Sequence, residues 1–251
     1  MKTVTVARLT AVSGLCLSLA ACSALAPRKA NDSMSLDAEN SPGDLYVAMA
    51  AEYYRLGQMD EALRRAERAI GEDKKNPRAY FVIAMIYQRI GEVARAEANF
   101  KQALELAPKN PDILNAYGAF FCAQRRYPEA QQQFTKATDN PLYATPWVSL
   151  TNAGTCAGNL AQAEVNYRRA LAANSGYGPA LFQLADLEFK RGNAKAAKAY
   201  LDRYFQANAP APQVLILAIN VERKLGNTKS AATYEQVLRK SFSDAPETKA
   251  L

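Results

Sequence analysis

The sequence predicts an all-α fold, a right-handed superhelix (α-solenoid) of six helix-turn-helix repeats. Three observations carry that prediction. First, from about residue 44 the chain repeats itself: YYRLGQMDEALRRAERAI (53–70) aligns with YQRIGEVARAEANFKQAL (87–104) at a shift of 34, and FCAQRRYPEAQQQFTKAT (121–138) follows at another 34. TCAGNLAQAEVNYRRAL (155–171), FKRGNAKAAKAYLDRYF (189–205) and RKLGNTKSAATYEQVLR (223–239) continue the series. Second, a small residue recurs in phase, as Ala62, Ala96, Ala130, Ala163, Ala197 and Ala231. Third, a glycine stands ahead of it in five copies, as Gly57, Gly91, Gly158, Gly192 and Gly226.

The second copy shows the physics most clearly. Counting Pro77 as its first position, Ala84 and Ala96 are small where the two helices of a hairpin approach each other. Tyr80, Tyr87 and Phe100 fill the space beside them, and Ile83 and Ala103 complete the buried set. Gly91 permits a left-handed turn between the helices, and Pro108 ends the second one. A 34-residue period of paired helices is similar to the tetratricopeptide repeat.

Taken in order, residues 1–21 read as an export signal. Lys2 and Arg8 stand without an acid, and an apolar run of about a dozen residues follows. That run is shorter than the ~20 residues a spanning helix needs. Leu19-Ala20-Ala21-Cys22 resembles the lipobox of bacterial lipoproteins. The resemblance implies cleavage before Cys22, lipid on its sulfur and acylation of the new N-terminus, and several acyl chains make a stable anchor. Ser23, in place of Asp, resembles the outer-membrane sorting class, so the expected location is the periplasmic face of the outer membrane.

Residues 22–43 hold the lipidated cysteine and a polar tether without helical period. The six repeats are expected over 43–76, 77–110, 111–143, 144–177, 178–211 and 212–245, with a tail at 246–251. The third copy is one residue short, and Arg125 stands where its turn glycine would be.

Composition excludes much. The chain has no histidine, which removes the commonest general base and the commonest metal ligand. No glycine-rich phosphate loop and no nucleophile triad is present, so neither enzyme, metal site, cofactor nor small-molecule substrate is expected. Loss of Lys2 and Arg8 lowers the formal charge from +7 to +5. The basic doublets Arg64-Arg65, Arg125-Arg126 and Arg168-Arg169 read as solvated helix faces, not a nucleic-acid surface.

Stacked helical hairpins present their first helices as an extended concave surface. In this repeat family, positions 2, 5, 9, 12 and 13 of the first helix face that groove. They include Val47, Ala51 and Tyr54 in copy one, Phe81, Met85 and Gln88 in copy two, and Phe182 and Phe189 in copy five. Apolar side chains there fit a peptide or helix anchor; the alternative is that neighbouring repeats or the tether cover them. Copies three and four carry small or polar residues instead, among them Cys122 and Cys156. Packed helices bring facing Cα atoms to ~4–5 Å, within disulfide reach. In an oxidising compartment a disulfide is the expectation, with two buried thiols as the alternative.

The stretch NAYGAFFCAQRRYPEA (115–130) resembles the Asn-x-Tyr-Gly-x-Phe-Leu-Cys segment of the type IV pilus biogenesis lipoprotein family (PilF/PilW). NPLYATPWVSLTNAGTCAGNLAQAE (140–164) is also similar to that family, and Phe121 departs from it where Leu is common. The resemblance implies a pilotin that binds pilus secretin subunits, escorts them to the outer membrane and promotes their multimerisation. The competing expectation is a general periplasmic adaptor for cell-wall enzymes or cytochrome assembly.

Overall fold

The computed structural model describes residues 42–249, which belong to the compact unit Asp37–Leu251. Six helical hairpins follow one another. They are α1 (Pro42–Arg55) with α2 (Met59–Glu72), α3 (Pro77–Arg89) with α4 (Val93–Leu106), and α5 (Pro111–Ala123) with α6 (Tyr127–Thr138). Then come α7 (Pro146–Thr155) with α8 (Leu160–Ala173), α9 (Gly178–Lys190) with α10 (Ala194–Ala207), and α11 (Pro212–Lys224) with α12 (Thr228–Ser241). A single turn, α13 (Pro246–Lys249), packs back on α11. Each helix packs mainly on its partner, and each hairpin stacks on the next. No strand occurs among the described residues. The chain is an all-helical tetratricopeptide solenoid.

Local chemistry sets the helix ends. Pro77, Pro111, Pro146 and Pro212 open first helices, where a missing N–H costs no hydrogen bond. Asn76 and Asn110 cap two of these helices by accepting from the amides of Arg78 and Asp112. Gly57, Gly91, Gly192 and Gly226 adopt φ of 79, 83, 85 and 78°. After each, an amide reaches back five residues, as from Gln58 to Tyr53 (2.9 Å) and Glu92 to Tyr87 (2.9 Å). That closure satisfies carbonyls left open at the helix end. Arg125 takes the same left-handed conformation (φ 59°), and Arg126 closes onto Phe121 in the same way.

The fourth turn departs from the expectation that Gly158 plays this role. Gly158 is outside the left-handed set, and no five-back closure forms there. The cause is the missing residue in copy three. Second helices α6 and α8 begin at Tyr127 and Leu160, a spacing of 33 instead of 34. Helix α7 absorbs the mismatch by starting late and stopping at 10 residues, against 13 for α5 and α9. The Thr151 and Thr155 hydroxyls donate to the carbonyls of Trp147 and Thr151, a contact that competes with regular helix.

The core follows the small-against-large pattern. Ala62, Ala84, Ala96 and Ala130 are fully buried. At Gly118 an added Cβ would sit 2.6 Å from the Phe134 ring, and at Gly154 it would sit 2.5 Å from the Tyr167 ring. These two glycines therefore permit the closest helix approaches. Copies two and three share an aromatic cluster in which Phe100 and Tyr117 stack at 5.1 Å and Tyr117 meets Phe121 at 4.1 Å. Truncating one such buried ring to alanine costs about 3–5 kcal/mol. Copies four to six rely on aliphatics such as Leu181, Leu184 and Leu217.

Candidate functional site

Neighbouring first helices touch one another directly, α1 with α3, α5 with α7 and α9 with α11. Their common face is where the sequence places its partner-binding residues. Tyr54, on the last turn of α1, is half-buried; the Arg89 guanidinium of α3 lies 5.1 Å over its ring and donates to its carbonyl at 3.3 Å. Ala51, Phe81 and Met85 are also half-buried. The Phe81 ring stands 6.3 Å from Phe100 of the core. These side chains rest on the interior with one side and meet solvent with the other. Gln88 is half-buried beside them, but its Oε1 is turned away from solvent and finds no donor among the described residues. An acceptor in that state costs about 1–3 kcal/mol until something donates to it.

Val47 requires correction. It is 1% exposed and packs in one cluster with Val82 and Ile86, so it is core and not groove. The direct contact of α1 with α3 covers it.

In copies three and four the face is tied shut. Cys122 and Cys156 form a disulfide with Cα atoms 5.8 Å apart, closing a loop of 34 residues. The Asn152 Nδ2 donates to the Asn115 Oδ1 at 3.0 Å beside it. The Gln131 side chain of α6 donates to the Ala153 carbonyl at 2.7 Å. These contacts cross-link the middle section of the array.

In copy five Phe182 and Phe189 are half-buried against the core cluster. Asp186 and Lys190 pair between them at 2.5 Å. A pocket of about 340 Å³ lies at the junction of copies four and five, lined by Thr155, Leu160, Tyr167, Gln183, Asp186 and Lys190. The sequence reading missed it. Its signal was present in the one-residue deficit, which shortens α7, and in Gly154, which draws the Tyr167 ring inward. Burial raises the pKa of Tyr167, whose hydroxyl stands 3.4 Å from that of Thr155.

The charged groups tie repeats together. Lys101 and then Arg126 hold the Glu97 carboxyl below its ordinary range against the opposing effect of burial, and Arg126 comes from the next hairpin. Arg191 and Arg168 do the same for Glu164. Burial, helped by the nearby Glu97, pushes Tyr117 up to about 12. The arrangement is that of a frame carrying a partly apolar face and a recess between copies four and five, suited to holding another polypeptide. Cys22 and residues 1–41 as a whole lie outside the described residues.

The fold is shared with known proteins. Residues 47–111, 99–132 and 157–218 match profiles of the tetratricopeptide repeat. The type IV pilus assembly protein PilF of Pseudomonas aeruginosa is 26% identical over 162 residues, which is 63% of this chain and 64% of that protein's own length. Among solved structures, PilW, a widely conserved type IV pilus biogenesis factor, superposes with a TM-score of 0.72 at 31% identity, over 83% of this chain and 97% of that one. The structure of Pseudomonas aeruginosa PilF superposes with a TM-score of 0.71 at 25% identity, over 83% and 95% of the two chains.

Proposed function

Because the chain belongs to the PilF/PilW family of tetratricopeptide-repeat proteins of type IV pilus biogenesis, we propose that it is a pilotin for the pilus secretin. In this reading it is an outer-membrane lipoprotein facing the periplasm. Acyl groups on Cys22 supply the address, and the tether supplies reach; the sequence places its end at residue 43, but α1 already begins at Pro42. The face bearing Tyr54, Phe81 and Met85 holds a secretin segment and favours multimer assembly. Tethering both partners to one membrane raises their effective concentration, so modest affinity at that face suffices.

The observation that carries this reading is the match to PilW along 97% of that chain at 31% identity. The half-buried apolar row supplies a physical means of binding, since apolar side chains of a docked segment would cover Phe81 and Met85. Tetratricopeptide scaffolds are in general non-catalytic, and none of the matched profiles is that of an enzyme.

The test is deletion followed by a gel that preserves secretin multimers. Loss of multimers, restored by the wild-type chain, supports the proposal. Unchanged multimers with normal piliation overturn it. Capture of cell-wall hydrolases or cytochrome-assembly proteins in place of secretin would favour the general periplasmic adaptor.

A further inference from the structure

The turns inside each hairpin lie along one edge of the solenoid, and the connections between hairpins lie along the other. The two edges differ in chemistry. Among the described residues, five of the eight exposed large apolar side chains fall on the first edge: Leu56 (53% exposed), Ile90 (49%), Val93 (40%), Tyr127 (43%) and Leu160 (61%). The second edge has two, Leu142 and Leu45 in the first turn of α1.

Charge divides in the same way. The turns at 55–61, 89–95, 123–129, 155–162, 190–195 and 223–229 contain eleven cations and four carboxylates, and three of those carboxylates, Glu61, Glu92 and Glu129, each face an arginine. Among the described residues Arg89, Arg125, Lys195, Lys224 and Lys229 on these turns are exposed and have no carboxylate within ion-pair reach. On the opposite edge, the connections at 72–78, 106–112 and 139–145 balance four cations with four carboxylates.

We propose that this turn edge is a peripheral docking surface for an anionic lipid bilayer. Single aliphatic and aromatic tips flanked by unpaired Lys and Arg match a boundary where apolar groups enter the acyl region and cations meet phosphate headgroups. A nucleic acid would leave Ile90, Val93 and Leu160 without partners, and an acidic protein would have to desolvate the cations. Since the array curves, a flat surface meets consecutive turns only. Copies two to four carry the densest set, with Ile90, Val93, Arg125, Tyr127 and Leu160. Docking by this edge leaves the first-helix face free, so it goes beyond the groove reading and does not depend on it.

The probe is the compact unit Asp37–Leu251, which carries neither the apolar run at 9–21 nor Cys22. It is sedimented with vesicles of phosphatidylglycerol and phosphatidylethanolamine, and in parallel with neutral phosphatidylcholine vesicles. The expected result is binding to the anionic vesicles only, weakened from 0.1 M to 1 M salt as the screening length falls from about 10 Å to about 3 Å. Ile90→Glu with Val93→Glu lowers the bound fraction about tenfold, the loss expected for ~1.4 kcal/mol of insertion and charge energy. Leu142→Glu, on the opposite edge, leaves it unchanged. All three positions are exposed, so folding is retained and is checked by circular dichroism. No binding to anionic vesicles, equal binding to neutral ones, or equal damage from Leu142→Glu overturns the proposal. So does a double variant that keeps vesicle binding while losing a co-purified protein, which would make the edge a protein contact. Acylation at Cys22 is read separately, by the mass of the full chain.

Discussion

Arg125 carries a conformation that its counterparts assign to glycine. Its φ of 59° places an arginine Cβ against the following carbonyl, at a cost of about 1–2 kcal/mol. Arg125→Gly is therefore expected to raise stability by about 1 kcal/mol, measured as an upward shift in the urea midpoint. If the vesicle proposal holds, the same change weakens anionic binding, so stability and docking move in opposite directions. Glu222 makes a second case. It is 2% exposed, yet it accepts from Lys198 and Asn227 at 2.6 Å each. Burial pushes its pKa up, but those two contacts outweigh burial and the net result lies below the ordinary value of 4.5. A carboxylate lowered on folding contributes stability that is present above its unfolded pKa and is lost as pH falls through the folded one. The last two repeats should therefore loosen below about pH 4.5. Glu222→Gln should flatten that acid limb, measured by thermal melts between pH 3 and pH 6. The sequence showed Glu222 only as an acid at a repeat position, and Lys198, 24 residues away, became its partner only through stacking.

At the scale of the element, repetition made the helices legible and a deletion hid the exception. The in-phase alanines and the turn glycines at 57, 91, 192 and 226 each mark a hairpin that formed, because close approach and a left-handed turn leave few residue choices. Gly158 looked the same and is not, since one missing residue upstream shifted the strain into α7. Periodicity reports where an element should be, and only packing decides which end yields. The Cys122–Cys156 bond spans this irregular junction. Closing a loop of 34 residues implies about 3–4 kcal/mol by the chain-entropy model. Reductant, or Cys122→Ser, should lower Tm accordingly in calorimetry. A reductant-insensitive Tm would mean that the junction is already held by Asn115, Asn152 and the Gln131 contact.

For the whole molecule, the sequence anticipated a solenoid and a face for a partner, but could not separate face from core at every position. The sequence places both Val47 and Tyr54 on the groove face of α1, yet one is sealed by α3 and the other stays half open on the last turn of the helix. The pocket beside Thr155 and the basic turn edge likewise arise from several copies together, so no single repeat displays them. On the proposed pilotin role, Tyr54→Ala with Phe81→Ala is expected to weaken capture of a secretin segment at least tenfold while Tm falls only modestly, since both rings are half-exposed. Co-sedimentation with the purified secretin fragment measures the first effect and calorimetry the second.

The covalent tie at the centre of the array also sets how it would behave under load. Pulled from its two ends in an optical trap, the polypeptide would surrender its outer hairpins, while the stretch bracketed by the two sulfurs stayed shielded from tension. At ~3.3–3.6 Å per extended residue, those 34 residues amount to about 110 Å of hidden length, which a reductant would release. Under tension the array would thus behave as a spring with a fixed stop.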